Sequence, residues 1–358
     1  MKFGSPRDIW LLPSGTFRNF VGLWIFLAVL SFPFSVDALE NRNTKRILIL
    51  NSYHAHLPLI WGITKGVQLE KRSWDINYFT ENMDVCRFPG EGHVRILEQL
   101  YRWKYRLVKP DLVIAVGNHA VDFLAQRRQV LFAQVPVVYA ELADAEPIRE
   151  LPASFRGIRL PTDIVGTVDL ALRLHPRMRH LAIVCGTLPL DRILEAQARD
   201  ALAGYEKKLD IHWISGLPAC KLFEKIENVP EESVALVLPF LKGDFRPVDP
   251  VTHFASQAYF QTHAPLYTLW SLQVGKGMMG GHVLDFVEVG SRLGKISVQI
   301  LNGEEPSVSL FSRDGLLRYM FDWRKLRQWG IDEHNLPESS IVEFRKPPIW
   351  IEYKKDVA

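Results

Sequence analysis

Along the chain, short unbroken runs of aliphatic residues alternate with longer segments whose apolar positions recur every three or four residues. The runs at Arg46–Asn51, Ile76–Thr80, Leu112–Val116 and Val135–Ala140 predict strands. Between them, Leu59–Lys71, Glu91–Arg106 and Ala120–Arg128 carry helical spacing. A second series comes after these, with strands expected at Ile158–Leu160, Leu181–Cys185, Ile211–Ile214, Val234–Leu238 and Leu266–Leu269. Its helices are expected at Ile164–Leu174, Arg192–Lys207, Thr252–Thr262 and Val287–Leu301, the last stopped by Asn302 and Gly303. Runs such as "ILIL", "LVIAV" and "PVVYA" do not alternate with polar residues, which is the signature of strands covered on both faces. Strands separated by helices predict βαβ units, so the fold class is α/β, with two doubly wound parallel sheets in succession. The end of the chain predicts a short helix, Phe321–Trp329, an Asn-Leu-Pro turn and a strand, Ser340–Arg345.

The first forty residues break this alternation. Lys2, Arg7 and Arg18 precede 15 nearly uncharged residues, Phe20 to Phe34, and then "SVDAL". Small side chains at Val36 and Ala38 suit a signal peptidase, so residues 1–38 read as a signal peptide cleaved after Ala38. The expected location is the periplasm; an uncleaved signal anchoring the chain to the inner membrane is the alternative. Fifteen residues are short for a bilayer span of about 20.

Composition narrows the functional classes. The chain has 358 residues, 47% hydrophobic and 23% charged, room for two globular domains. A net charge of +3 without a basic block gives no reason to expect nucleic acid as a partner. Three cysteines, Cys86, Cys185 and Cys220, have no paired spacing, which argues against a disulfide framework or a zinc cage. There is no Gly-x-Ser-x-Gly elbow, Walker loop or His-Glu-x-x-His, and no enzymatic activity is expected. Gly275 to Gly280, "GKGMMG", has the letters of a dinucleotide fingerprint but lies late in the chain, with no acidic residue at the required distance; no cofactor is expected.

In an open parallel sheet, ligands gather outside the carboxyl ends of the strands. Four such ends are polar here: "NSYHAHLP" from Asn51, "GNHA" at 117–120, "ELAD" at 141–144 and "GTLPLD" at 186–191. These stretches, with "KRILILNSYHAHLPLIWGITKGV", "KPDLVIAVGNHAVDFL", "LRLHPRMRHLAIVCGT" and the segment from "APLYTLW" to "LNGEEP", resemble in order the ABC transporter substrate-binding protein family of type 1 periplasmic binding fold. The branch most similar is the one found as extracytoplasmic sensor modules of bacterial histidine kinases. The resemblance implies two lobes joined by a hinge, 44–155 plus 280–312 and 156–279, with 313–358 a tail packed on them. It implies a small organic ligand between the lobes and, as partner, an ABC permease or a membrane sensor kinase. A detached sensor module without transport is the alternative, and a secreted enzyme a more distant one. The stop soon after "WIEYKK" reads as a free-standing version, and "AELADAEP" is acidic where the family often carries an Asn-type ligand contact.

The candidate ligand contacts are Ser52, Tyr53, Trp61, Asn118, His119, Glu141, Gly186, Thr187, Phe240 and Trp270. Ser52 offers a hydroxyl and Tyr53 a flat apolar face, with a capping role the alternative for Ser52. Trp61 suits either the mouth of the cleft or packing beneath the loop. Asn118 and His119 open a helix as polar donors. Glu141 suits a ligand amine or hydroxyl, or else an ion pair with a neighbouring Arg. Gly186 and Thr187 present backbone N–H groups near a helix start, with Asp191 the expected N-cap of that helix. Phe240 and Trp270 offer aromatic walls, with core packing the alternative for Trp270. His54 and His56 with His119 and Glu141 have too weak a spacing to predict a metal site.

Overall fold

Why the aliphatic runs do not alternate is visible in the layers. The computed structural model describes residues 44–70, 75–142, 151–187, 189–217, 219–239 and 262–345. Strands β1 (Thr44–Asn51), β2 (Asp75–Asn82), β3 (Leu112–Val116), β4 (Val137–Leu142) and β5 (Phe155–Leu160) form one sheet in the order β2-β1-β3-β4-β5. The pairs β1–β3, β3–β4 and β4–β5 are parallel. Ile47, Ile49, Leu112 and Ile114 point to one face and join a cluster with Ile63, Val67, Val289 and Leu293. Leu48, Leu50, Val113 and Ala115 point to the other and pack with Leu97, Tyr101, Val121 and Leu124. The period-2 geometry of a strand thus delivers each alternate residue to a different helix layer. Those layers are α1 (Pro58–Gln68) and, on the far face, α2 (Glu91–Lys104) and α3 (Asn118–Leu131).

The second sheet contains β6 (His180–Val184), β7 (Asp210–Ile214), β8 (Ser233–Val237), β9 (Leu266–Thr268), β10 (Gly280–Leu284), β11 (Leu317–Asp322) and β12 (Ile341–Glu343). Their order is β12-β11-β10-β9-β8-β6-β7, parallel throughout except for β10–β11. Helices α4 (Ile164–Leu174), α5 (Pro189–Leu202) and α6 (Ala219–Glu227) accompany this sheet. Helix α7 (Phe286–Leu301) returns to the first sheet, and α8 (Trp323–Gln328) comes directly after β11.

Sheet membership divides the chain differently from the expected 44–155 plus 280–312 and 156–279. Strand β5 belongs to the first sheet and β10 to the second; β11 and β12 are strands of the second sheet rather than parts of a tail lying on it. The chain therefore crosses between sheets three times, near Pro161–Asp163, at Asp285 and near Arg313–Leu316. The crossings are tied together. Asp163 caps α4 through Gly166 N–H and reaches His282 Nδ1 at 2.5 Å. That bond to His282, with the Gly166 N–H second, holds the Asp163 carboxyl below its ordinary value despite burial. Asp285 caps α7 through the N–H groups of Val287 and Glu288, donates its own N–H to the Leu316 carbonyl, and pairs with Arg318 at 3.2 Å.

Strands β10 and β11 and helix α6 are additions to the elements expected from periodicity. The start of β10 is hidden by glycine: a Cβ at Gly280 would sit 2.0 Å from the Met320 carbonyl oxygen, so only glycine lets the strands meet. The helix expected at Phe321–Trp329 begins instead at Trp323, because Phe321 and Asp322 complete β11 and the Asp322 side chain caps α8. Glycine also governs the α1–α7 crossing. A Cβ on Gly66 would lie 2.1 Å from Val287 O, and one on Gly290 2.1 Å from Ile63 O, so the two backbones touch. The expected signal segment and the helix expected at Thr252–Thr262 lie outside the described residues, apart from Thr262 itself. Among the described residues, no helix is long and apolar enough to cross a membrane.

Candidate ligand-binding site

The site is built from the carboxyl ends of the strands. Beyond Asn51 the chain stays pinned: Ser52 N–H donates to Val116 O at 2.9 Å, Met83 N–H to Asn51 O at 2.8 Å, and Val85 N–H to Ser52 O at 3.2 Å. Ser52 is fully buried, and its Oγ accepts from the Ala120 N–H at 2.8 Å. It thereby satisfies one of the open donors at the start of α3, whose own N-cap residue, Gly117, has no side chain to do so. Gly117 has φ +87°, and a Cβ there would lie 2.7 Å from Ser52 Oγ, so glycine and serine are matched. Of the two roles expected for Ser52, this geometry is the capping one. Asn51 donates through Nδ2 to Asn82 Oδ1 at 3.1 Å, and its buried Oδ1 has no hydrogen-bond partner among the described residues.

Tyr53 is 5% exposed. Its hydroxyl is pushed well above the ordinary phenol value, first by burial, then by the nearby Cys86 and then by Asp191. Cys86 comes after β2 of the first sheet, whereas Asp191 comes after β6 of the second. Tyr53 at the end of the first sheet's β1 is thus within electrostatic reach of a carboxylate that comes after the second sheet's β6. Asp191 is completely buried and lies within the first turn of α5 rather than at its N-cap. Its main-chain oxygen accepts from Cys185 Sγ at 3.1 Å. Burial, then the Asp191 and Glu195 carboxylates, raise the Cys185 thiol to about 12, which keeps it protonated and unreactive.

The other expected residues divide into those engaged within the fold and those turned outward. Glu141 is buried on β4, directly opposite Arg159 on β5, and accepts from Arg159 Nε at 3.2 Å. This is the ion pair weighed as its alternative. Asn118 and His119 open α3 beside Ser52, Asn118 half-buried and His119 exposed. Gly186 is buried and Thr187 exposed after β6. Trp61 is 61% exposed with Lys65 Nζ 5.0 Å from its ring centre, so it does not pack beneath the loop. Phe240 lies outside the described residues. Trp270 is buried edge-to-face against Phe286, with ring centres 5.1 Å apart.

Sequence reasoning missed Gln273. It sits in a one-turn 3-10 helix, Ser271–Gln273, just beyond β9 and Trp270, and its Oε1 accepts from Thr268 Oγ1. Both Trp270 Nε1 and Gln273 Nε2 are buried N–H donors with no hydrogen-bond partner among the described residues. Buried donors normally find an acceptor, so two left open at one strand end mark a place suited to an oxygen-bearing ligand. The sequence signal available was the polar pair Ser271–Gln273 after an apolar strand.

Neither the protein-family models nor the curated proteins give a match to this chain. Solved structures do. The ABC domain in complex with L-Trp from Streptococcus pneumonia superimposes with TM-score 0.57 at 17% identity, covering 84% of this chain and 100% of that one. A substrate binding protein with adhesive properties from Clostridium difficile, in its ligand-free, open form, gives 0.54 at 16% identity, with 84% and 100% covered. A conserved domain protein from Vibrio cholerae gives 0.55 at 14% identity, with 84% and 99% covered. The chain has the two-lobe α/β fold of type 1 periplasmic binding proteins.

Proposed function

We propose that this chain is an exported solute-binding protein that holds one small organic molecule between the carboxyl ends of its two sheets and presents it to an ABC permease or a membrane sensor. The observations that carry this reading are the buried donors left open at the end of β9, Trp270 Nε1 and Gln273 Nε2, and Tyr53 lying within electrostatic reach of Asp191 in the first turn of the helix after β6. A ligand touching both halves binds their closed arrangement more tightly than any open one, which is what couples occupancy to shape. The three crossings, tied by Asp163–His282 and Asp285–Arg318, are the hinge about which such closure turns.

The chemistry favours a molecule with acceptor oxygens for Trp270 Nε1 and Gln273 Nε2 and an apolar body for Tyr53. Amino acids fit this description, and a protein of the same fold is described in complex with L-Trp. The test is a thermal-shift screen of the purified protein with amino acids, nucleosides, purines and small carboxylates, L-Trp first. A ligand at 100 times its Kd stabilises the native state by about 2.7 kcal/mol, so a true ligand raises Tm with dose. Tyr53→Leu and Asp191→Asn abolish that shift on this reading. No shift from any class, or a shift unchanged in both variants, would refute it. Chemical alteration of the compound during incubation would favour an enzyme instead. N-terminal sequencing of the protein recovered from the periplasm should begin at Leu39; retention in the inner membrane would favour the uncleaved anchor.

A further inference from the structure

We propose that His180, Asp210 and His212 form a binding site for one divalent transition-metal ion of the zinc class, separate from the ligand site and on the opposite end of the second sheet. The register of two strands builds it. Parallel pairing of β6 with β7 sets His180 opposite Asp210 and Ala182 opposite His212. Residues two apart on a strand share a face, so all three side chains project from the same side of the sheet. His180 and Asp210 stand at the amino ends of β6 and β7 with His212 two residues on, whereas Asp191 lies beyond the carboxyl end of β6.

The donor atoms have the dimensions of a metal face. His180 Nδ1 lies 3.3 Å from Asp210 Oδ2, His212 Nε2 lies 3.2 Å from the same oxygen, and the two nitrogens are 3.3 Å apart. In a tetrahedral zinc site, bonds of about 2.0–2.1 Å place neighbouring donors roughly 3.3–3.4 Å from each other. All three edges match to within about 0.2 Å. A cation at the apex of this triangle engages one lone pair from each of the three donors together. The imidazole rings are tilted by 41° with centres 5.4 Å apart, so they converge on the shared carboxylate rather than stack. The preceding cation, Arg179, is committed to Glu232 at 3.1 Å. The side chains of His180 and His212 are 25% and 35% exposed, so an ion can enter from solvent and keep water in a fourth position.

The test uses the full chain without a histidine tag, freed of metal with EDTA and dialysed, titrated with ZnCl2 by calorimetry and with CoCl2 by visible absorption. The expected result is one ion per chain with a Kd in the micromolar range, a rise in Tm on adding zinc, and a cobalt spectrum of four-coordinate intensity. His180→Ala and His212→Ala should each weaken binding by more than about 100-fold and Asp210→Asn by about 10-fold. His334→Ala, at an exposed histidine elsewhere, should leave binding unchanged. Unchanged Tm and circular dichroism of the variants in EDTA would tie any loss to the site rather than to the fold, and Asp210→Asn, nearly isosteric, keeps the test decisive should an alanine variant misfold. Absence of saturable zinc binding, or binding unaltered by all three site substitutions, would overturn the proposal.

Discussion

At the carboxyl end of the first sheet, Ser52 and Glu141 are as buried as the aliphatic core, and each is engaged inside the protein: Ser52 with the Ala120 N–H, Glu141 with Arg159. At the carboxyl end of β9 in the second sheet, Trp270 and Gln273 are equally buried, yet each keeps an N–H that no described residue accepts. A polar residue at a strand end is therefore not a ligand contact merely by its position. What separates these two pairs is whether the buried group already has a partner; Asn51 Oδ1, at the end of β1, falls with Trp270 and Gln273 in having none among the described residues. A buried donor left unpaired costs about 1–3 kcal/mol, a cost that a protein retains where something else supplies the acceptor.

The strongest way to break this comparison is through the frame that holds the first end rigid. Gly66→Val should destabilise by more than about 3 kcal/mol in urea denaturation, because its Cβ would be driven into the backbone of α7. A loss below about 1 kcal/mol would mean that the crossing yields and the first end is not fixed by it. Next comes Glu141→Leu, expected to lose about 2–3 kcal/mol by leaving Arg159 without its partner, with no effect on the affinity of the compound found in the thermal-shift screen.

The second half has committed polar groups of its own away from β9, and His175 tests them. Its Nε2 meets Tyr267 Oη at 3.1 Å, and burial lowers its pKa from 6.5 to about 4. Above pH 6.5 the imidazole is neutral folded and unfolded; as pH falls toward 4 only the unfolded chain takes up the proton. Wild-type stability should therefore drop by about 2 kcal/mol across that interval relative to His175→Gln, read from urea midpoints at each pH. Ser52→Ala should lose about 1–2 kcal/mol, the value of a buried helix cap. The smallest effect belongs to Trp270→Phe, about 1 kcal/mol when unliganded, since it removes an unpaired donor but also shrinks a buried ring packed on Phe286; its larger loss should appear in ligand affinity, by about 10-fold. If Trp270→Phe destabilises as much as Ser52→Ala and leaves affinity intact, the two ends do not differ in kind.

The central strands β1 and β3 of the first sheet were legible because two covered faces demand unbroken aliphatic runs, and "LVIAV" has no other reading once helical segments flank it. Strand β10 was not, because its glycines look like a loop until Met320 is placed against them. The polar ends of β1, β3, β4 and β6 were legible as loops, and the alternatives weighed for Ser52 and Glu141 are the roles their contacts display. Gln273 escaped notice because its signal is an unsatisfied hydrogen bond, and no sequence records which donors lack acceptors. Of the residues considered for a metal, His54 and His56 share one loop and His119 and Glu141 come from others, whereas His180 and His212 lie 32 residues apart and meet through strand register.

By itself the sequence determined the alternation of strand and helix, the parallel sheets and the polar character of their carboxyl ends, because hydrophobic periodicity and chain direction are local properties. Only the tertiary structure decided which sheet β5 and β10 join, that Tyr53 lies within electrostatic reach of Asp191, and which buried polar atoms are satisfied. Those are outcomes of pairing between distant segments, and a pairing partner is not encoded at the position that needs it.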